Sequence, residues 1–490
     1  MNFFERAFVF FAPSAAVRRA QARAQIALIR KFDAAKKGNR TREWRTSNSS
    51  TNADLRTSIS TLRNRSIDMY QNNGHLRSLI QKLTTNIVGA GVRPSVEFPS
   101  SKAFEKKLLK TWRKWAESES SDFDGRIDFY AMQALVVRNV IMSGECIIRR
   151  RRDRSTGIPL QLQVQEAHVL DHSKDGFSFE NGNYIVLGVE FNSSGKRVAY
   201  WLFDEHPGDA SLRSGLVSRR IPADDVCHVY FVERPGQVRG VPWTVASMLK
   251  LRDLDQYEDA QIIRQKVAAC FTAFVTDTTD GAIGNTDAAR LEYDALEPGR
   301  IEELPVGKTI TFSTPPPAEG YDSFTKGVLR SASAGGGITY EAMTNDYSSV
   351  NFSSGRMGWI EMHRQIQEWT IAMVKPMCNT VWGWFMEASG LAGVVRSTQV
   401  DTMASWTPPR REMLDPVKEA KGVVELLKAN LMSYSEALRK AGYEPDDVME
   451  EMASDIKKLD DLGTVTSWDG RLLKTKAEGG GGDPPANSDG

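Results

Sequence analysis

Gly337-Ile338-Thr339-Tyr340-Glu341-Ala342-Met343-Thr344-Asn345-Asp346-Tyr347-Ser348-Ser349-Val350-Asn351-Phe352-Ser353-Ser354-Gly355-Arg356 is a polar run set between two helical stretches. Ser, Asn and Asp side chains compete with the backbone for hydrogen bonds, so a segment this rich in them predicts a connector between helices. Before it, Phe324 to Ala334 reads as helix, and Gly335-Gly336-Gly337 predicts its interruption. After it, Met357, Ile360, Ile366, Trp369, Met373, Met377, Val381, Trp384 and Ala388 form one helical stripe from about Ser354 to Ser389. Pro376 lies inside that stripe, and its missing N–H predicts a kink.

Further out, Val241-Pro242 predicts the start of another long helix reaching about Val275, with proline where its absent N–H costs nothing. An acidic, Gly- and Pro-containing insert follows, from about Thr276 to Gly320. Upstream, 54 to 90, Lys102 to Trp115 and Tyr130 to Met142 read as helices. The period then changes to two. Glu145 to Asp153 and Leu160 to Val164 form an expected hairpin, and Tyr184 to Phe191, Arg197 to Phe203 and Val226 to Phe231 are further strands. Asp415-Pro416 opens charged helices to about Leu462, with Ser433 and Glu436 spaced as a capping box. The glycine run Gly479 to Gly482 reads as a disordered end. The expected class is α+β, predominantly helical.

With 490 residues, 41% apolar and 26% charged, the chain is long enough for about three domains or sub-domains with real cores. Lys plus Arg number 63 against 62 Asp plus Glu, which excludes a uniformly basic nucleic-acid coat. Charge is nevertheless segregated: residues 1 to 45 carry eleven basic against three acidic side chains, and residues 276 to 320 nine acidic against three basic. Four cysteines (Cys146, Cys227, Cys270, Cys378) cannot staple a chain of this length and read as reduced, mostly buried thiols. Ala7 to Val17 is apolar, but Glu5 and Arg6 neutralise the segment that a secretory signal needs positive, so an amphipathic arm is expected there. Lys375, Pro376 and Glu387 interrupt the most apolar stretch, Trp369 to Val395, so no membrane span is expected.

The catalytic inventory is poor. Gly335 to Gly337 is followed by Ile338-Thr339 where a phosphate-cradling loop needs Lys and Ser or Thr. Cys227 and His228 are adjacent on a strand and so face opposite ways, wrong for a nucleophile and its base. His168 and His172, beside Glu166 and Asp171, could hold a metal only if that segment were helical, and it follows an alternating strand. Arg149-Arg150-Arg151-Arg152 could neutralise phosphates, or serve as a solvated hairpin or a salt-bridged subunit contact. Trp369, Trp382 and Trp384 lack interleaved basic residues and read as packing. No catalytic residue, metal or cofactor is expected.

Four segments together carry a resemblance: the polar run quoted above, Arg234-Pro235-Gly236-Gln237-Val238-Arg239-Gly240-Val241-Pro242, Asn86-Ile87-Val88-Gly89-Ala90-Gly91-Val92-Arg93-Pro94, and Gly144-Glu145 after a helix. Taken in chain order they resemble the lambda-type phage portal family over most of residues 50 to 460. Ser333-Ala334-Gly335-Gly336-Gly337 departs from the family's usual run. The resemblance implies a portal fold of wing, stem, clip and crown around a central channel in a ring oligomer, twelve-fold in the virion. It maps a basic arm to 1–49, the wing to 50–240, a first stem helix to 241–275 and the clip to 276–320. A second stem helix maps to 321–336, the tunnel loop to 337–354, a kinked helix returning to the wing to 355–410, the crown to 411–462 and a disordered tail to 463–490.

As implied partners come double-stranded DNA passing without sequence specificity, the large terminase, the major capsid protein and scaffold, and a neck or adaptor protein. The implied location is the capsid portal vertex, with assembly in the host cytoplasm and no membrane. A conduit must confine a polyanion without holding it, since every neutralised phosphate adds affinity. That favours Thr344, Asn345, Tyr347, Ser348 and Ser349 at the constriction. Lys326 and Arg330, four apart on the second stem helix, either touch phosphates or pair between subunits. Glu292, Asp294, Glu297, Glu302 and Glu303 offer an acidic surface to the terminase and neck protein. The competing expectations are a metal-dependent hydrolase or nuclease using His168 and His172, and a capsid-associated scaffold without a channel.

Overall fold

In the computed structural model the apolar periodicity between 54 and 90 is carried by two helices rather than one: α1 (Thr51–Asn72) and α2 (Gly74–Val88). Asn73 makes the break. Its Oδ1 accepts the Leu76 N–H at 2.6 Å as the cap of α2, and its amide nitrogen donates to Asp255 at 2.7 Å. The structure describes residues 42–464, apart from 44–45, 47, 97, 99–100, 154–156, 178–181, 210–215, 270–272, 278–307, 313–319, 397–398, 400, 410–414 and 444. The basic arm, the acidic-insert positions Glu292, Asp294, Glu297, Glu302 and Glu303, Cys270 and the tail from 465 therefore lie outside the described residues. Residues 1–54 and 55–490 form separate units, and everything below concerns the second.

The main core is helical. Leu76, Leu79, Ile80, Leu83 and Ile87 of α2 pack with Val136, Val137, Val140 and Ile141 of α4 (Phe129–Ser143) and with α3 (Lys102–Ala116). Trp112 of α3 is its hub: wholly buried, it meets Trp115, Phe129, Trp382 and Phe385 at ring separations of 5.2, 5.5, 5.0 and 4.9 Å. Trp382 and Trp384 spend their N–H groups on the carbonyls of Thr402 and Asp224, both at 2.8 Å. The tryptophans are packing residues, as expected. Cys146, Cys227 and Cys378 are free and buried, and burial pushes the Cys227 thiol up to about 12.

Strand β2 (Glu145–Arg151) is covered on both faces. Cys146 and Ile148 join the helical core, while Ile147 joins a second cluster with Leu170, Val189, Tyr200 and Leu202. It is the centre of an antiparallel sheet with β3 (Gln161–Glu166) and β9 (Val226–Tyr230). A second antiparallel sheet runs β4 (Gly176–Phe177), β5 (Tyr184–Val186), β6 (Val189–Phe191), β7 (Arg197–Phe203) and β8 (Ser218–Pro222). A third pairs β1 (Arg93–Ser95) with β12 (Ser405–Thr407), bringing the chain after its longest helical run back to this body.

Two antiparallel helices, α5 (Val245–Ala269) and α6 (Tyr321–Gly336), are linked through the hairpin of β10 (Ala273–Asp277) and β11 (Lys308–Phe312). At one end the Ser247 hydroxyl donates to the Ala332 carbonyl at 2.7 Å, and towards the other the Tyr257 ring meets Phe324 at 4.7 Å. The start of α5 falls three residues after Pro242, because Thr244 is buried with its hydroxyl 2.7 Å from that of Ser66. Gly335 and Gly336 do not break α6. A Cβ on Gly335 would stand 2.7 Å from the Ser247 hydroxyl, and one on Gly336 2.5 Å from Leu79. Gly337 ends the helix at φ 70°, with Trp369 against it.

The kink expected at Pro376 is displaced. Helices α8 (Phe352–Trp369) and α9 (Lys375–Leu391) are joined by a π-turn at Thr370–Val374, and Pro376 sits in the first turn of α9. Widening the ladder ahead of the ring accommodates it, because the carbonyl a proline displaces lies four residues upstream. Beyond β12 come α10 (Pro416–Lys428), α11 (Tyr434–Lys440) and α12 (Pro445–Asp461). Ser433 caps α11 through the Glu436 N–H at 3.1 Å, while the Glu436 side chain pairs with Lys440 at 2.8 Å instead of closing the box. Among the described residues no helix is long and apolar enough to cross a membrane.

Candidate functional site

The run between α6 and α8 is built rather than slack. Thr339 accepts the Ala342 N–H at 3.2 Å and caps the short helix α7 (Tyr340–Thr344). Ile338, Tyr340 and Met343 enter the main core, and Ser78 of α2 donates to the Met343 carbonyl at 2.6 Å. Asn345 takes a left-handed φ of 57° and turns the chain. Asp346 then accepts from the Tyr340 hydroxyl at 3.0 Å, the Ser348 hydroxyl at 2.6 Å and the Ser348 N–H at 3.1 Å. Those donors, Ser348 first, hold its carboxyl down at about 2. At neutral pH the turn therefore carries a fixed negative charge.

Of the residues expected at the constriction, Asn345, Tyr347, Ser348 and Ser349 are exposed, Tyr347 by 61%. Thr344 is not at the tip. It is half-buried, donating to the Tyr340 carbonyl at 2.9 Å and accepting the Asp346 N–H at 3.2 Å. Lys326 pairs with Asp322 on its own helix at 2.9 Å, and Arg330 lies 5.5 Å over the Tyr340 ring. Asp346 stands between the expected residues, and in the sequence an isolated Asp in a Ser/Asn run reads only as turn chemistry.

A second construction joins what the sequence presents as separate motifs. Glu145 is wholly buried at the start of β2. Its Oε1 accepts from Arg63 of α1 at 2.7 Å and from Arg239 Nε at 2.8 Å; its Oε2 accepts the Gly240 N–H at 2.8 Å and lies 2.9 Å from His228 Nε2. Arg239 also donates to the Leu187 carbonyl at 2.7 Å, and Arg63 to that of Ser143 at 3.2 Å. Burial alone would raise the Glu145 carboxyl, but Arg239, His228 and Arg63 together hold it well below the usual range. Burial lowers the His228 ring, and lowers Arg63 to about 10, still protonated at neutral pH. Gly144 and Gly240 let the two motifs meet: a Cβ on Gly144 would stand 2.6 Å from the Val241 carbonyl carbon.

Three arginines of the basic hairpin face carboxylates of the chain itself. Arg150 reaches Glu387 at 2.7 Å, Arg152 reaches Asp225 at 2.8 Å, and Arg149 lies 3.8 Å from Asp204. The metal expectation on His168 and His172 needs correction. Asp171 is taken up by the Ser173 and Ser218 hydroxyls, both at 2.6 Å, and His172 is exposed. The residue brought beside His168 and Glu166 is His206, from the loop after β7. The segment is strand followed by turn, so a spacing of four does not put His168 and His172 on one face.

The geometry is thus a buried ionic hub at the start of β2 and a polar, capped turn between α6 and α8. The sequence matches the phage portal protein, lambda family, over residues 37–370. It is 27% identical over 480 residues to a probable portal protein of Halomonas phage phiHAP-1, covering 92% of this chain and 91% of the relative. It is 23% identical over 469 residues to portal protein B of Escherichia phage lambda, covering 86% and 87%. Among solved structures, the neck of a native gene transfer agent particle computed with C12 symmetry is similar at 12% identity, covering 79% of this chain and 94% of that one, with a TM-score of 0.47. The chain belongs to the lambda family of phage portal proteins.

Proposed function

We propose that copies of this chain, acting as a phage portal, pack side by side into a twelve-fold ring at one capsid vertex, and that duplex DNA is pumped in and later released through its bore. The wing, stem, clip and crown follow the boundaries expected from the sequence, with α5 and α6 as the stem pair. The acidic insert meets the terminase and then the neck protein, and the outer body meets the capsid.

The observation that carries the reading is the turn after α7. Its tip presents Asn345, Tyr347, Ser348 and Ser349 around a carboxylate held ionised by its own neighbours, on a base locked into the core. Such a tip confines a phosphate backbone without neutralising it. Lys326 and Arg330 reach phosphates only by leaving Asp322 and Tyr340.

Negative-stain imaging of the purified chain tests the ring, with a central hole expected; a monodisperse monomer at high concentration overturns it. Deleting the whole connector would also strip Ile338, Tyr340 and Met343 from the core, so the tip is tested by the triple change Tyr347→Ala, Ser348→Ala, Ser349→Ala. Intact rings with altered DNA filling or retention are expected, and unaltered filling removes the tip from the bore.

A further inference from the structure

The sheet register that corrected the metal expectation assembles something else. Leu170 is bridged to Leu202, and the Asp171 N–H donates to the Trp201 carbonyl at 2.9 Å. The 3₁₀ turn Ala167–Val169 is thereby laid beside the loop that follows β7, and the His168 and His206 rings come within 5.1 Å. Glu166 stands between them, its Oε2 3.5 Å from His168 Nδ1 and 3.5 Å from His206 Nε2. One donor atom from each of the three lies within 4.8 Å of the others, the only such group among the described residues.

His168 supplies the decisive detail. Its Nε2 is 2.9 Å from Asn64 Oδ1 of α1, an acceptor, so a neutral ring donating there holds its single proton on Nε2. Nδ1 then carries a lone pair, is out of water and has no hydrogen-bond partner. That lone pair faces a carboxylate oxygen, and two electron-rich atoms so placed repel unless a proton or a metal ion lies between them. Zinc bonds of about 2.0–2.1 Å in tetrahedral array put neighbouring donor atoms about 3.4 Å apart. Both contacts of Glu166 have that separation.

We propose that Glu166, His168 and His206 form a binding site for a divalent transition-metal ion, zinc in the first instance, with Asn64 fixing the His168 tautomer from behind. The ion ties the end of β3 and the loop after β7 to α1. His206 Nδ1 accepts the Gly208 N–H at 3.1 Å. Binding through Nε2 moves the single ring proton to Nδ1 and opens that exposed turn. The fourth tetrahedral position is left to water. The site is independent of the ring reading, and no reaction is assigned to it.

The test uses the full chain without a histidine tag, stripped with a chelator and titrated with Zn(II) by calorimetry and with Co(II) by visible absorption. One ion per chain and the intense bands of tetrahedral cobalt are expected. His206→Ala and Glu166→Gln, both at solvent-accessible positions, should weaken binding by about a hundredfold or more. Asn64→Ala should cost about ten- to a hundredfold, and His172→Ala nothing. Absence of saturable binding, or binding that survives both His206→Ala and Glu166→Gln, overturns the site and leaves a proton-mediated ion pair in its place. Ring images of the same samples report separately on the portal reading.

Discussion

Glu145 and Asp346 are both carboxylates held in the charged form, by opposite means. Glu145 is sealed in the protein and relies on guanidiniums from α1 and the segment before α5 and on the His228 ring of β9. Asp346 lies on a surface turn and relies on hydroxyls and an amide within eight residues of itself. The first, held by two guanidiniums and a histidine ring, couples distant parts of the chain, so altering it costs the fold. The second sets a charge at one place, so altering it changes what the surface meets and little else.

Glu145→Gln is the severest way to break this contrast. It leaves the Arg63 and Arg239 guanidiniums buried without a counter-charge, and should cost about 3–5 kcal/mol in urea denaturation. The acid limb of stability comes next. His228 has a lowered folded-state pKa, so its contribution is complete above its usual value near 6.5 and is lost as pH falls below it. The depressed Glu145 acts in the same direction, its contribution being complete above about pH 4.5 and lost below. Unfolding temperature should therefore decline from about pH 6.5 downward and steepen below about 4.5.

At the turn, Asp346→Asn should leave the unfolding midpoint and the rings unchanged. Asp346→Lys should add about one to the salt slope of DNA binding for each chain that touches the duplex. A flat salt response would place the turn away from DNA. The smallest effect is expected where α12 lies on α3 through Lys102–Asp446, Lys106–Glu450 and Arg113–Asp447, all exposed. Raising salt from 0.1 to 1 M shortens screening from about 10 to about 3 Å, so amide exchange should quicken in α12 and not around Trp112.

Much of this was legible in the residues. Helical spacing located α2 through α4 and the long run around Trp369, and the tryptophans without basic neighbours read correctly as core. What was not legible depended on distance in the chain. Gly144-Glu145 and Arg234 to Pro242 stood out as separate motifs, but nothing local says that one supplies the carboxylate and the other the guanidinium. His206 was invisible for the same reason, being delivered to His168 by the pairing of strands. Gly335 and Gly336 misled because glycine marks both a break and a close approach; Ser247 and Leu79 decide for approach there, while Gly337 does end the helix. Pro376 fixed that the helix is irregular but not on which side of the ring the strain is relieved.

The meeting of Gly144 and Gly240 has a corollary for substitution. A methyl group at Gly240 would land inside the carbonyl of Gly144, and one at Gly144 would strike the backbone of Gly240 and Val241 in return. No exchange at either place can be compensated by trimming the other, since neither has anything left to trim. Both positions are therefore closed to any side chain, and neither can be opened by a change at the other.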